Sequence, residues 1–481
     1  MSVKKTLIIK SVKTVFYNKN IREKALKQLD NYLYKRIVKK NSIKHYPDGA
    51  AEIMEKAPMA LINSVIENVD KGYISPHVID TLIGSLVTNA FLAKDNQKVI
   101  KAYEKKYGVK PPSLIVISPT QQCNLKCIGC YAASEIKKTS KIKWDYLMKV
   151  MKETHDEMGI RFYVISGGEP LLYEDEGHTI IDVAKMYQDS FFLMYTNGTL
   201  ITKDVAKKME EAGNITPAIS VEGMKEETDA RRGKGIYDQI LAAMKNLREA
   251  GVPYGVSVTA TRNNVNLLLK DDFYDYYFKE LRANYMWMFQ FMPIGRKPDV
   301  ELSLTPEQRI ALFKEWVKVL TEKNYFVADF WNSAILSVGC LSCARPAGYF
   351  YIDWDGKVMP CVFIPYYKDT IYELYDNGKK LTDALFSDFF TQGRNWVMKY
   401  NGKLDDDMGN LLTPCFIRDH HKDFYEIAKS THAKPENEEA KESLESDEYH
   451  KSLIEFDEKL AKLADPIWNE IKQKKVSKKK K

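Results

Sequence analysis

Short apolar runs and helical stripes alternate through the middle of the chain. Runs at Leu114–Ile117, Phe162–Ile165, Phe192–Tyr195, Ala218–Val221, Gly255–Ala260 and Met286–Met292 read as buried strands. Between them, segments such as 143–158, 202–212 and 237–250 repeat their apolar residues with the helical period. Six such units predict an α/β fold: a parallel sheet with helices outside, curled into a partial (β/α)6 barrel. The first hundred or so residues carry only helical patterning. Ile8, Val12, Val15 and Phe16 share one face, and after a cap at Asn20 so do Leu26, Leu29, Leu33 and Ile37. Pro111-Pro112 ends that pattern. Beyond 300 the alternation loosens. A helix near 305–322 leads into a cysteine-bearing stretch, and from about 422 the chain is charged and helical, with Leu453, Phe456, Leu460 and Leu463 as a packing stripe. Four regions are expected: a helical N-terminal region (1–110), the barrel (111–300), a small C-terminal domain (301–420) and a charged helical tail with a polylysine end (421–481).

Composition narrows the class. Hydrophobic residues make up 44% and charged residues 28% of 481, enough for large globular cores. No apolar run reaches eighteen residues, so no spanning helix is expected. The longest apolar stretch at the start is Leu7-Ile8-Ile9, too short for a secretory signal, and a cytoplasmic protein is expected. The net charge of +7 is unevenly spread: residues 1–45 hold thirteen Lys/Arg against Glu23 and Asp30, and the last ten residues hold seven lysines. Basic ends on an acidic body suit contact with an anionic surface, such as the inner face of a membrane. A solvated helix face with a disordered tail explains the same charges, and is the better account of the C-terminal lysines.

Seven cysteines fall into two groups: Cys123, Cys127 and Cys130, then Cys340, Cys343, Cys361 and Cys415. An odd count in a reducing compartment argues for metal rather than disulfides. Cys123-Asn-Leu-Lys-Cys127-Ile-Gly-Cys130-Tyr131 spaces three soft ligands around one small cluster just after the first strand. A structural zinc site normally closes with four ligands, and no histidine lies nearby. Three thiolates on a four-iron cluster leave one iron open.

CNLKCIGCY resembles the signature of the radical S-adenosylmethionine (SAM) superfamily. The resemblance implies that Cys123, Cys127 and Cys130 hold a [4Fe–4S] cluster whose open iron binds SAM, giving a 5′-deoxyadenosyl radical that removes hydrogen from a substrate carbon. It implies that Tyr131 shields the adenine. Ser166-Gly167-Gly168-Glu169-Pro170 is similar to the family's GGEP segment, with Gly167 and Gly168 admitting SAM closely and Glu169 facing its ammonium. Thr196-Asn197-Gly198 borders the cofactor, although a plain glycine turn would read the same. Ser220-Val221-Glu222-Gly223 resembles a segment whose serine meets SAM. Asp229-Ala-Arg231-Arg232-Gly233 resembles a stretch in which Arg232 clamps the SAM carboxylate; a surface pair between Arg232 and Asp229 stays open as the alternative.

The stretch from Cys343 to Cys361, with Asp355-Gly356 as a hairpin turn, resembles the auxiliary domains called SPASM or twitch. It implies one auxiliary [4Fe–4S] cluster on Cys340, Cys343, Cys361 and Cys415. Zinc suits four thiolates as well, and Cys343 as a bystander stays open. His420 and His421 are read as packing or surface residues.

An auxiliary cluster suits net oxidation, and the family implies a peptide or protein substrate and a ferredoxin or flavodoxin as reductant. The basic N-terminus and the aromatics Tyr349, Phe350, Tyr351, Phe363, Tyr366 and Tyr367 instead fit a membrane-associated enzyme coupling lipid hydrocarbon tails. A non-catalytic RNA- or ribosome-associated metalloprotein would also use the basic ends. No nucleic-acid module accompanies the charge, and no DNA partner is expected.

Overall fold

In the computed structural model, residues 16–41, 43, 45–85, 94–296, 298–404 and 407–475 are described; Ile8, Val12 and Val15, with the terminal lysines, lie outside them. Nine strands form one sheet: β1 (Leu114–Ile117), β2 (Phe162–Ile165), β3 (Phe191–Thr196), β4 (Ile215–Val221), β5 (Gly255–Ala260), β6 (Met286–Gln290), β7 (Val327–Asp329), β8 (Tyr351–Ile352) and β9 (Val358–Met359). Their order is β9-β8-β1-β2-β3-β4-β5-β6-β7, with every pairing parallel except β8–β9. The first six are the six predicted strands. The hairpin β8–β9 turns at Gly356 (φ +74°) and joins the sheet beside β1, so strands from 111–300 and from 301–420 share one sheet.

Successive strand residues point to opposite faces. Ile115, Ile117, Tyr163, Ile165, Phe192, Met194, Met286 and Met288 pack outward under the helices. Val116, Val164, Leu193, Trp287 and Phe289 point into the barrel, against the side chains of the second cysteine group. The apolar runs are continuous because both faces are covered.

The N-terminal region is helical, as its stripe implied: Lys19–Leu33, Asp48–Met54, Lys56–Asp70, Pro76–Leu82 and Lys94–Tyr107. Its first cap is Asn18 rather than Asn20; the Asn18 Oδ1 accepts from the N–H groups of Asn20 and Ile21. At the far end, the helix Asp447–Gln473 buries Leu453, Leu460, Ala464 and Trp468, whereas Leu463 is exposed. Among the described residues no helix is long and apolar enough to cross a membrane.

That last helix also carries the partly buried Asp457, whose Oδ2 accepts from the His421 N–H at 2.9 Å. Burial, then the nearby Asp419, push its carboxyl up to about 8, against the pull of Arg418 and Arg309. The folded state therefore holds a proton that the unfolded chain releases near pH 4, and stability from this site is lost as pH rises toward 8. Asp457→Asn keeps an acceptor without the charge. Its melting temperature relative to the parent should rise steadily from pH 5 to pH 8; a gap independent of pH would refute this.

Candidate active site

The loop after β1 carries the first cysteine group, and its shape is set by the turn after β2. The Ser166 N–H donates to the Ile117 carbonyl, that of Gly168 to Thr120, and that of Glu169 to Gln122, at 2.8–2.9 Å. Two chain segments are thus laid backbone on backbone. A Cβ at Gly168 would stand 2.1 Å from the Gln122 oxygen, and one at Gly167 (φ +113°) 2.7 Å from the Thr120 oxygen. The glycines serve the approach of the cysteine loop first, and both also line the cavity. Gly168→Ala should cost about 1–3 kcal/mol of stability by overpacking and lower SAM cleavage by displacing Cys123. Thermal melts and 5′-deoxyadenosine assays check this.

Cys123, Cys127 and Cys130 border one end of a cavity of about 430 Å³. Burial pushes the Cys123 thiol up to about 12, while the Leu125 N–H donates to its sulfur at 3.4 Å. Burial also raises Cys127, and Arg232 opposes it. The Asn197 Nδ2 lies 3.8 Å from the Cys123 sulfur and donates to the Asn124 Oδ1 at 2.9 Å. Among the described residues no three ligand-bearing side chains are drawn into a closed metal cage. The three thiols share a wall, with amide donors and a guanidinium beside them, a donor set that fits an iron–sulfur cluster.

Several assigned partners differ from expectation. Glu169 is fully buried and behind the cavity wall: its oxygens accept from Thr196 Oγ1 (2.7 Å), Asn197 N (2.8 Å) and Leu171 N (3.2 Å), tying the ends of β2 and β3 together. Pro170 opens the short turn beneath it. Arg232 does not pair with Asp229, which instead accepts from the Gly235 and Tyr237 N–H groups. The Arg232 Nε donates to the buried Glu222 at 2.9 Å, and the Arg231 Nη1 lies 2.6 Å from the same carboxylate. Two guanidiniums on one carboxylate leave a net positive charge at the thiol end. Tyr131 reaches the glycine turn, its hydroxyl 3.4 Å from Ser166 Oγ and accepting from the Gly167 N–H. Ser220 lines the cavity and meets Ser257 Oγ at 3.3 Å.

Cys340, Cys361 and Cys415 border the same cavity at its other end. The Tyr349 hydroxyl lies 2.8 Å from the Cys361 sulfur. Cys343 does not line the cavity: its buried thiol lies 3.4 Å from the Ser342 Oγ that also meets the Cys340 sulfur at 3.2 Å, and a Cβ on Gly393 of the helix Asp388–Tyr400 would stand 2.8 Å from it. Cys415 is braced by Asp419, whose Oδ2 accepts its N–H at 3.0 Å and the Nη2 of buried Arg309 at 2.8 Å. Tyr349 was read from the sequence only among the aromatics of the lipid reading, and Arg309 was not read as part of the site. An arginine inside an otherwise apolar helical face was the available signal for Arg309. His421 is buried, and His420 packs against Trp396 and Tyr400, as read.

Residues 117–266 match the Radical SAM superfamily. The mycofactocin maturase MftC of Mycolicibacterium smegmatis is 28% identical over 301 residues, 60% of this chain and 72% of that one. The AdoMet-dependent heme synthase of Methanosarcina barkeri is 28% identical over 293 residues, 54% and 80% of the two chains. The fold is similar to that of Streptococcus suis SuiB in its SAM-bound crystal structure, with a TM-score of 0.53 at 17% identity over 68% of this chain and 78% of that one. A parallel barrel with three thiols and a glycine turn at the C-terminal ends of its strands is the site of a radical SAM enzyme, and residues 117–266 carry that domain. Its cofactors are SAM with a [4Fe–4S] cluster, accompanied by an auxiliary iron–sulfur cluster.

Proposed function

We propose that the chain oxidatively modifies a side chain of a peptide or protein. The observation that carries this is the single cavity bordered by both cysteine groups, which seats one substrate between two redox centres. Cys123, Cys127 and Cys130 hold the SAM cluster; Cys340, Cys361 and Cys415 hold the auxiliary one, with Cys343 outside the ligand set. When bound, these groups supply a 5′-deoxyadenosyl radical that takes one hydrogen atom, and an acceptor for the second electron as a proton leaves. Arg231 and Arg232 meet the SAM carboxylate, Ser220 and Asn197 line its path, and Tyr131 closes over it. Residues 111–300 act as the radical-generating unit, and 301–420 as the auxiliary one. Relatives that include a maturase support a peptide substrate.

The first electron comes from a ferredoxin or flavodoxin. The lysines of Lys19–Leu33 are exposed, with Ile21 and Tyr32 half exposed beside them, and provide a peripheral contact with an anionic membrane. Mass spectrometry of peptides and lipids from an anaerobic host, with and without the gene, tests the substrate class. A peptide lighter by two hydrogens is expected; an unchanged peptide pool with new lipid species would overturn the reading in favour of lipid modification.

A further inference from the structure

We infer that the peptide group offered to the radical is an uncharged hydrocarbon side chain, aliphatic or aromatic; this rests on the peptide reading above. The cavity has two chemically different parts. Around the first thiol group its wall is polar: Ser166, Gly167, Asn197, Ser220, Arg231 and Arg232. Along the barrel axis the wall is built from the inward residues of the strands, among them Leu114, Val116, Phe162, Val164, Leu193 and Phe289. Phe363 lines the cavity beside Cys361, whose sulfur accepts its N–H at 3.4 Å. Its ring centroid is 5.1 Å from Trp331, 5.6 Å from Phe330, 6.1 Å from Phe289 and 6.3 Å from Tyr131.

Among the described lining residues, Arg231 and Arg232 are the only charged side chains, and both are paired with Glu222 at the SAM end. Several polar groups of the wall are engaged with one another or with groups behind it. Ser220 and Ser257 meet each other, and Gln290 donates to Asp329 while accepting from Arg418 at 2.8 Å. An ammonium or carboxylate entering this space would lose its water and find no free charge to pair with. A hydrocarbon loses nothing on entry and gains from leaving water. Size narrows the occupant further. The space is near the small end of ligand sites, roughly 300–1,000 Å³, and it must take SAM as well. A single side chain suits the space beside it better than a long acyl tail.

The test uses the anaerobic holoenzyme with SAM and four probes: N-acetyl amides of leucine, phenylalanine, lysine and glutamate, each with a deuterated side chain, alongside a deuterated palmitoyl amide. Equilibrium binding is read from tryptophan emission, since Trp287 and Trp331 line the cavity. Hydrogen transfer is read as deuterium in 5′-deoxyadenosine. The leucine and phenylalanine probes should bind at least about tenfold tighter than the charged ones, an effect of desolvating a charge, and should pass deuterium. Equal binding of the lysine or glutamate probe, deuterium from either, no saturable binding by any probe, or preference for the palmitoyl amide would each overturn the inference. Host peptides modified at a charged residue would refute this inference alone. Tight leucine and phenylalanine binding with no modified host peptide would instead refute the peptide reading.

Discussion

Cys127→Ala abolishes formation of 5′-deoxyadenosine by the reduced, anaerobic enzyme while leaving the fold intact. Cys127 is only partly buried, borders the cavity, and its thiol has the Arg232 guanidinium nearby. It lies on a loop held by the backbone of its neighbours rather than by its own side chain, so the loss of stability should stay within about 0.5 kcal/mol. What the substitution removes is one of three thiols, and two do not hold a four-iron cluster in place. Iron content and SAM cleavage should fall together to background. Cys343→Ala is the contrast: its thiol is packed against Gly393 and off the cavity, so SAM cleavage should persist. A Cys127→Ala protein that still cleaves SAM would refute the assignment of the first thiol group.

The second large effect is expected at Asp419. Both it and Arg309 are buried, and they meet through two contacts, with the Nη2–Oδ2 distance 2.8 Å. Burial raises the Asp419 carboxyl, and Arg309 more than offsets this, so it stays charged. Asp419→Ala strands a guanidinium away from water, a change that typically costs about 3–5 kcal/mol. It also takes the acceptor from the Cys415 N–H, loosening the loop that presents Cys415. Denaturant unfolding should show the loss, and iron bound at the second thiol group should fall while that at the first is kept. The pair Arg309→Met/Asp419→Leu should recover part of the stability, since it removes both charges of the pair and leaves only Arg418, held by Gln290, without Asp419. Equal instability in the single and double variants would refute the buried pair as the cause.

Much of this was legible along the chain. The six barrel strands and the helices between them follow from local periodicity, because a strand covered on both faces must be apolar throughout. The first thiol group, Gly167 and Gly168 follow from short spacing, since a loop wrapping one small site must supply its donors within a few residues. The Asp355-Gly356 turn was visible for the same local reason. By contrast, the cap at Asn18, the exposure of Leu463 and the off-cavity position of Cys343 depend on what packs against each residue.

The sequence alone determined the class of chemistry and the strand–helix order, because both are written in near-neighbour residue types. Only the tertiary structure decided that Glu169 ties two strands together, that Arg231 and Arg232 share Glu222, that Arg309 braces Cys415, and that both thiol groups open on one apolar chamber. Those are contacts between residues far apart in the chain. Their partners are chosen by how the sheet curls and which side chains are denied water, and no local pattern records either.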